Sequence, residues 1–464
     1  RGDRPMKAAF KTPGFPRLYA GLTASMVGDS ILLLVLSMWV KTLTGSNAMA
    51  GLTFFFMMVP ALFAPLMGVW LDRVRRKPFL VWGNLASAVM VLPLVLVRDA
   101  GDVWLIWSVA FLYGVSFVVL PAALNGLLKE MVAEEHLVDA NASLQTTKEA
   151  FRLFGPLLGA AIFAWTGGWL VALIDAATFA IAAAVIASIR IREDAPERDS
   201  SHLFVQIAAG LRHLVADRVL ANVLVGFGLT MLVLGFCEAS IYALLDAFDK
   251  PATYAGVFVT IQGVGAIAGG LSAGWLIRRT GEVAASALGL VILAVSMIGI
   301  AATRDLFVML LCAGVMGLSL PLLTIGYLTL IQKRTPQAVM GRVSTAAEVV
   351  MSAPYAVSLA AGAALVSLLD YRVIFAIMGI VTMAGAAHIG FWLREQIRTD
   401  WRAGRGGSVD EGLRPVGEDL LGEDGRARDA HALDHVVGGD AAALGALGTD
   451  GHLSLGDDGR EQVR

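Results

Sequence analysis

The feature that most restricts this chain is the recurrence of apolar runs long enough to cross a bilayer. A membrane-spanning helix needs roughly 20 mostly apolar residues. Such runs are read at 16–40, 47–71, 78–97, 103–128, 143–165, 168–189, 220–245, 253–277, 282–302, 305–331, 343–368 and 372–394. In hydrocarbon each backbone N–H and C=O must be satisfied inside its own segment, so segments of this length fold as helices. The spacing predicts an all-α membrane protein with twelve spans and a multi-pass place in the lipid bilayer. Composition agrees, because only 16% of the residues are charged, against about 25% in soluble domains.

Several function classes drop out. Lys and Arg number 36 against 38 Asp and Glu, so nothing argues for nucleic acid. Cys237 and Cys312 lie in apolar runs and read as packing residues. Cys/His ligand clusters, catalytic triads and a phosphate-binding Gly-x-x-x-x-Gly-Lys-(Ser/Thr) loop are all missing from the sequence. The chain is therefore expected to be neither an enzyme nor an ATP-driven pump, with no metal and no cofactor. The basic start (Arg1, Arg4, Lys7, Lys11, Arg17) is followed by an apolar run long enough to span and lacking a small-residue cleavage site. It reads as a first span rather than a cleaved signal.

Connector charge sets the expected orientation. The even-numbered connectors carry Arg73, Arg75, Arg76 and Lys77, then Lys129 and Lys148, then Arg190, Arg192 and Arg198, then Arg278 and Arg279, then Lys333, Arg334 and Arg342. The odd-numbered ones carry only Lys41, Arg98, Lys250, Arg304 and Arg372. The positive-inside rule then puts both termini in the cytoplasm and the chain in the cell membrane.

The organisation expected is a basic N-terminus over 1–13, a six-helix bundle over 14–189, a linker over 190–219, a second bundle over 220–396 and a tail over 397–464. Apolar residues of Phe204–Leu214 recur at helical spacing, which predicts an amphipathic helix in the linker. The tail is rich in Gly, Asp and Ala and reads as disordered. Landmarks repeat about one half later. Gly68-Val-Trp-Leu-Asp72-Arg73 has a counterpart in Gly274-Trp-Leu-Ile-Arg278-Arg279, and Pro121-Ala-Ala-Leu has one in Pro321-Leu-Leu-Thr.

The stretch Gly68-Val-Trp-Leu-Asp72-Arg73-Val-Arg75-Arg76-Lys77 resembles the signature loop of the major facilitator superfamily. Arg75 stands where a second Gly is usual, and Arg278 occupies the acidic position of the second copy. Gly28-Asp29, Asp139-Ala-Asn141, Gly155-Pro156-Leu-Leu-Gly159 and Thr335-Pro336…Gly341-Arg342-Val343 are similar to stretches of its bacterial exporter branch, the siderophore, macrolide and multidrug efflux type. The fourth span lacks the Arg usual in drug/proton antiporters, and Thr146-Thr147-Lys148 stands where the fifth-span motif has a further Gly. The resemblance implies two pseudo-symmetric six-helix bundles. It implies a gate of Gly68, Asp72, Arg73, Arg76 and Lys77, with Asp72 meeting the N-terminus of the eleventh helix. It also implies a cavity between the first, fourth, seventh and tenth spans, with Tyr113, Phe117, Asn125, Tyr242, Thr324 and Tyr327 as candidate lining.

Embedded charges supply the other candidates. Asp29 lies about twelve residues into its span, roughly 18 Å deep at 1.5 Å per residue. A charge at that depth costs at least ~2.5–3.5 kcal/mol, so it faces a cavity or a partner. It reads either as a proton-coupling group or as a hydrogen-bonded tie to a neighbouring span. Glu238 reads as a second proton-binding or cation-attracting group, or as a vestibule residue without a special role. Asp175 reads as structural, because the sixth span is peripheral in the family, and His388 reads as packing. Glu149 and Arg152 are three apart and can pair on one helix face; with Lys148 they form either a gate contact or an interfacial ion pair, and Arg152 is the nearest cation expected for Asp29.

The expectation is a secondary transporter, a proton-coupled exporter of small amphipathic molecules, acting as a monomer. Its rivals are a lipid or lysolipid mover of the same fold and a non-transporting membrane sensor.

Overall fold

The computed structural model describes residues 10–71, 73–190, 203–336 and 339–405. Among them there is no β-strand. Eleven helices among the described residues are long and apolar enough to cross a membrane. The expected fifth span lies in a further helix, Glu134–Thr166, whose Lys148, Glu149 and Arg152 dilute its apolar content.

The first span is Phe15–Thr44, and the second is Asn47–Met58 continued by a 3-10 turn, Val59–Phe63, and Ala64–Leu71. Pro60 sits in that turn; having no N–H, it interrupts the α-helical ladder. The third is Arg76–Val91 with the 3-10 turn Leu92–Leu96, and the fourth, fifth and sixth are Val103–Met131, Glu134–Thr166 and Gly168–Ser188. The seventh to twelfth are Arg218–Ala247, Ala255–Thr280, Glu282–Ala302, Leu306–Arg334, Met340–Leu365 and Tyr371–Trp392. Short polar connectors start the helices. Ser46 accepts from the Met49 N–H, Asp305 from Val308 and Asp370 from Arg372, satisfying donors that a helix start leaves open.

The packing repeats with an offset of six spans. The first span packs on the fifth and sixth, the third on the fourth and sixth, and the second on the fourth. In the second half the seventh packs on the eleventh and twelfth, the ninth on the tenth and twelfth, and the eighth on the tenth. Each pairing of the first half has its counterpart in the second. Between the halves, the second span meets the eleventh and the fifth meets the eighth, which are again equivalent pairs. Large apolar side chains such as Trp82, Trp165, Leu271 and Phe307 stay exposed on the outside, as a lipid-facing surface requires.

Two helices lie outside the spans. Leu203–Ala216 packs along the eleventh span, where a Cβ on Gly210 would overlap the Arg342 carbonyl. Arg394–Arg405 packs on the eighth, ninth and twelfth spans. It carries helical structure past residue 397, where the tail was expected to begin; residues 406–464 lie outside the described residues.

Candidate functional site

The ends carrying Arg73, Lys129, Arg278 and Lys333 are called the basic face, and the ends carrying Lys41, Asp246 and Asp305 the opposite face.

Small residues bring three spans together around Asp29. A Cβ on Gly28 would overlap Thr178 Oγ1 and Asp175 Oδ1 of the sixth span. A Cβ on Gly155 of the fifth span would overlap Ser30, and one on Gly159 the Ile31 carbonyl. The Gly155-Pro156…Gly159 motif therefore lets the fifth span lie against the first, directly beside Asp29.

Tyr113 of the fourth span is buried and donates its hydroxyl proton to Asp29 Oδ1 at 2.6 Å. Its ring meets Phe117 edge-on at 5.0 Å and Phe179 at 6.1 Å. Ser25, one turn earlier on the first span, faces the same carboxyl, and Lys148 is the cation whose field reaches it. Arg152, the cation expected there, acts on Glu238 instead. Lys148 and Arg152 are four apart and so share a face of the fifth span, but stand about 6 Å apart along its axis. Asp175, which sequence reasoning set aside, is fully buried next to this cluster, and neither of its oxygens has a hydrogen-bond partner.

Glu238 accepts from the Tyr355 hydroxyl at 2.7 Å. It is surrounded by helices yet reached by solvent, the position of a group lining a cavity. Arg152 Nη1 is 3.9 Å from Glu149 Oε2, both side chains largely exposed, and Gln145 donates to Glu149 Oε1 at 2.7 Å.

The halves meet toward the opposite face. Ser37 and Tyr242 share a buried hydroxyl–hydroxyl hydrogen bond of 2.5 Å. One turn further out, Lys41 Nζ is 2.6 Å from Asp246 Oδ2, and Asn47 donates to the same oxygen at 3.1 Å. Thr260 of the eighth span donates to the Leu153 carbonyl of the fifth at 3.3 Å. Tyr242 is thus part of this seam, fully buried, rather than cavity lining. Tyr113 is enclosed in the same way, and Tyr327 is buried and stacked on Phe227 with centroids 4.9 Å apart. The enclosure of all three comes from aromatic packing between spans, which a helix pattern does not reveal. Phe117, Asn125 and Thr324 are exposed.

At the basic face, Asp72 lies outside the described residues. Arg76 donates to the Leu71 carbonyl and so caps the C-terminal end of the second span. Its guanidinium also lies against Gly126 of the fourth span. Arg73 is exposed, Lys77 partly buried. A Cβ on Gly68 would meet nothing within 4 Å, so Gly68 does not lie against another span in this state. In the second half Lys333 pairs with Glu282, and Arg334 Nη1 is 3.1 Å from Asp217 Oδ2. Partial burial pushes the Asp217 carboxyl up, but the Leu220 and Val219 N–H groups and the Arg334 guanidinium together outweigh it and hold it below its ordinary value. His388 lies 6.3 Å from Trp392, ring to ring.

The family model of the Major Facilitator Superfamily matches residues 18–359 and, in a second match, 240–424. The chain belongs to the major facilitator superfamily. It is 24% identical over 352 residues to macrolide efflux protein A of Streptococcus pyogenes, covering 73% of this chain and 85% of that protein. It is 25% identical over 305 residues to macrolide efflux protein A of Enterococcus faecalis, covering 63% of this chain and 93% of that protein. Among solved structures, a bacterial homologue of the iron transporter ferroportin in the inward-facing state superposes with a TM-score of 0.64 at 18% identity, covering 82% of this chain and 98% of the other. A point mutant of the nucleoside transporter NupG superposes at 0.67 with 13% identity, covering 82% and 99%. These likenesses carry the fold of two related six-helix bundles. The chain is a multi-pass membrane transporter of this superfamily, resembling its bacterial efflux branch, and not an enzyme.

Proposed function

We propose that this superfamily member is a proton-coupled exporter of small amphipathic molecules, macrolide-like in size and polarity, with its basic face in the cytoplasm. The observation that carries the reading is the position of Asp29. It sits midway along the first span, bonded to Tyr113, on the same helix whose outer turns carry Ser37 and Lys41 of the seam between the halves. A change of charge at Asp29 therefore acts on the helix that joins the halves at the opposite face. Ionised, Asp29 needs its hydroxyl partner, water or a cationic ligand; neutral, it tolerates an apolar wall. Alternating access requires a group of this kind.

The closed seam at the opposite face and the exposed Glu149 and Arg152 fit the state open toward the basic face. There a ligand enters from the cytoplasm between Phe117, Asn125 and Thr324, with Glu238 attracting a cationic one. The names of the macrolide efflux relatives support the export direction.

The test is efflux from proteoliposomes under an imposed pH gradient. Asp29→Asn, which mimics the neutral acid, abolishes uphill pH-driven efflux and keeps downhill exchange or ligand binding. Wild-type pumping by Asp29→Asn together with loss in Glu238→Gln would assign coupling to the other carboxyl, and wild-type pumping by both would remove proton coupling.

A further inference from the structure

Asp175 is the buried ionisable group to which the reading above gives no task. It is fully enclosed on the sixth span, and neither carboxyl oxygen has a hydrogen-bond partner. An ionised carboxylate without hydrogen bonds in an apolar interior is among the most costly groups a protein can hold, whereas a neutral acid is tolerated. The group placed to tie it to a neighbour is Tyr113, and that hydroxyl gives its proton to Asp29.

Its location is specific. Asp175 Cα would lie 3.1 Å from a Cβ on Gly28, so its carboxyl packs against the residue next to Asp29. Tyr113 faces both acids, but its hydrogen bond goes to Asp29. Asp29 is half-buried, while Asp175 is sealed. The charged and titratable groups facing the two acids are Tyr113 from the fourth span and Lys148 from the fifth. The third span, which also packs along the sixth, has no ionisable residue between Lys77 and Arg98. With one cation in reach, two adjacent carboxyls do not both ionise readily.

We propose that Asp29 and Asp175 are a carboxyl pair that holds one proton in common, with Asp175 its holder in the state described here and Asp29 the ionised member. The proposal rests on the coupling role of Asp29. Transfer runs through the Tyr113 hydroxyl. Its O–H bond breaks as the proton joins Asp29, and a new O–H bond forms with the proton leaving Asp175. The tyrosine is regenerated, Asp29 becomes neutral, Asp175 becomes the carboxylate that accepts from Tyr113, and total charge is unchanged. Asp29, the member that solvent reaches, exchanges the proton with the cavity. Asp175 keeps it out of reach of water between exchanges.

Infrared difference spectra of the full chain in lipid nanodiscs at neutral pH test the assignment. The spectrum of wild type minus Asp175→Asn contains the carbonyl stretch of a neutral carboxylic acid, and wild type minus Asp29→Asn contains a carboxylate band. The reverse assignment, or carboxylate bands in both, overturns the pair. In proteoliposomes, the near-isosteric Asp175→Asn lowers pH-driven efflux at least tenfold while ligand binding stays within a few-fold. Wild-type pumping by Asp175→Asn with an uncoupled Asp29→Asn overturns the pair and leaves the coupling role of Asp29 standing. Wild-type pumping by Asp29→Asn overturns that coupling role, and the pair with it. If Asp175→Asn does not reach the membrane, the Asp29→Asn difference spectrum still decides, because loss of a neutral-acid band there contradicts the proposal.

Discussion

The Tyr113 hydroxyl donates to Asp29 Oδ1 at 2.6 Å, joining the fourth span to the first at mid-membrane. A hydrogen bond to a charged acceptor contributes about 1.5–3 kcal/mol, so this contact weighs on whether Asp29 carries a charge and on how the two spans hold together.

Tyr113→Phe keeps the ring and its edge contacts with Phe117 and Phe179 while removing the donor. It is expected to slow pH-driven efflux by about tenfold, the change that ~1.4 kcal/mol gives in an equilibrium. Downhill exchange should change much less. Equal losses in both assays would make Tyr113 a structural residue only.

Close approach is tested at two glycines. Gly28→Ala pushes a methyl group into Thr178 Oγ1 and Asp175 Oδ1, and overpacking of this kind costs typically about 1–3 kcal/mol. Its thermal midpoint in detergent should fall by several degrees. Gly68→Ala meets nothing within 4 Å and should leave that midpoint unchanged while slowing transport, if Gly68 approaches its neighbours only in the other state.

The Lys41–Asp246 pair at 2.6 Å closes the seam at the opposite face, with the Asp246 side chain 45% exposed. Exposed pairs are worth about 0–1 kcal/mol. Lys41→Ala should therefore raise thiol labelling of a cysteine placed at Ala48 only a few-fold, and the exchange Lys41→Asp with Asp246→Lys should restore most of the protection. Complete opening by Lys41→Ala alone would mean that the pair holds the state by itself.

Asp217 gives a pH dependence. Burial pushes its carboxyl up, but the Leu220 and Val219 N–H groups and Arg334 together prevail and hold it below the ordinary value. A depressed folded-state value contributes stability that is fully present above the unfolded value of 3.8 and is lost as pH falls through the folded one. The acid limb of the thermal-stability profile should flatten in Asp217→Asn. At neutral pH that variant keeps a capping amide oxygen and should lose only about 0–1 kcal/mol, the usual worth of a partly exposed ion pair such as that with Arg334. An unchanged acid limb would show that Asp217 does not report on folding.

Apolar run length was enough to read the architecture, because a bilayer allows only one use for such runs. Each helix must satisfy its own backbone, so the number and order of spans lie in the linear chain. The repetition of Gly68…Arg73 in Gly274…Arg279 likewise foretold the equivalence that the packing shows, in which the first span's contacts with the fifth and sixth recur as the seventh's with the eleventh and twelfth. Which side chains meet across spans was not legible. Asp29 and Asp175 are 146 positions apart, and the sequence shows only that each lies within an apolar run. Their proximity depends on the rotation of the first and sixth spans and on the absence of a side chain at Gly28. The same holds for Lys148 serving Asp29 while Arg152 serves Glu238, and for the enclosure of Tyr113, Tyr242 and Tyr327. Periodicity tells which residues share a face of a helix, but the azimuth of one helix against another is set by side-chain packing summed over the whole bundle.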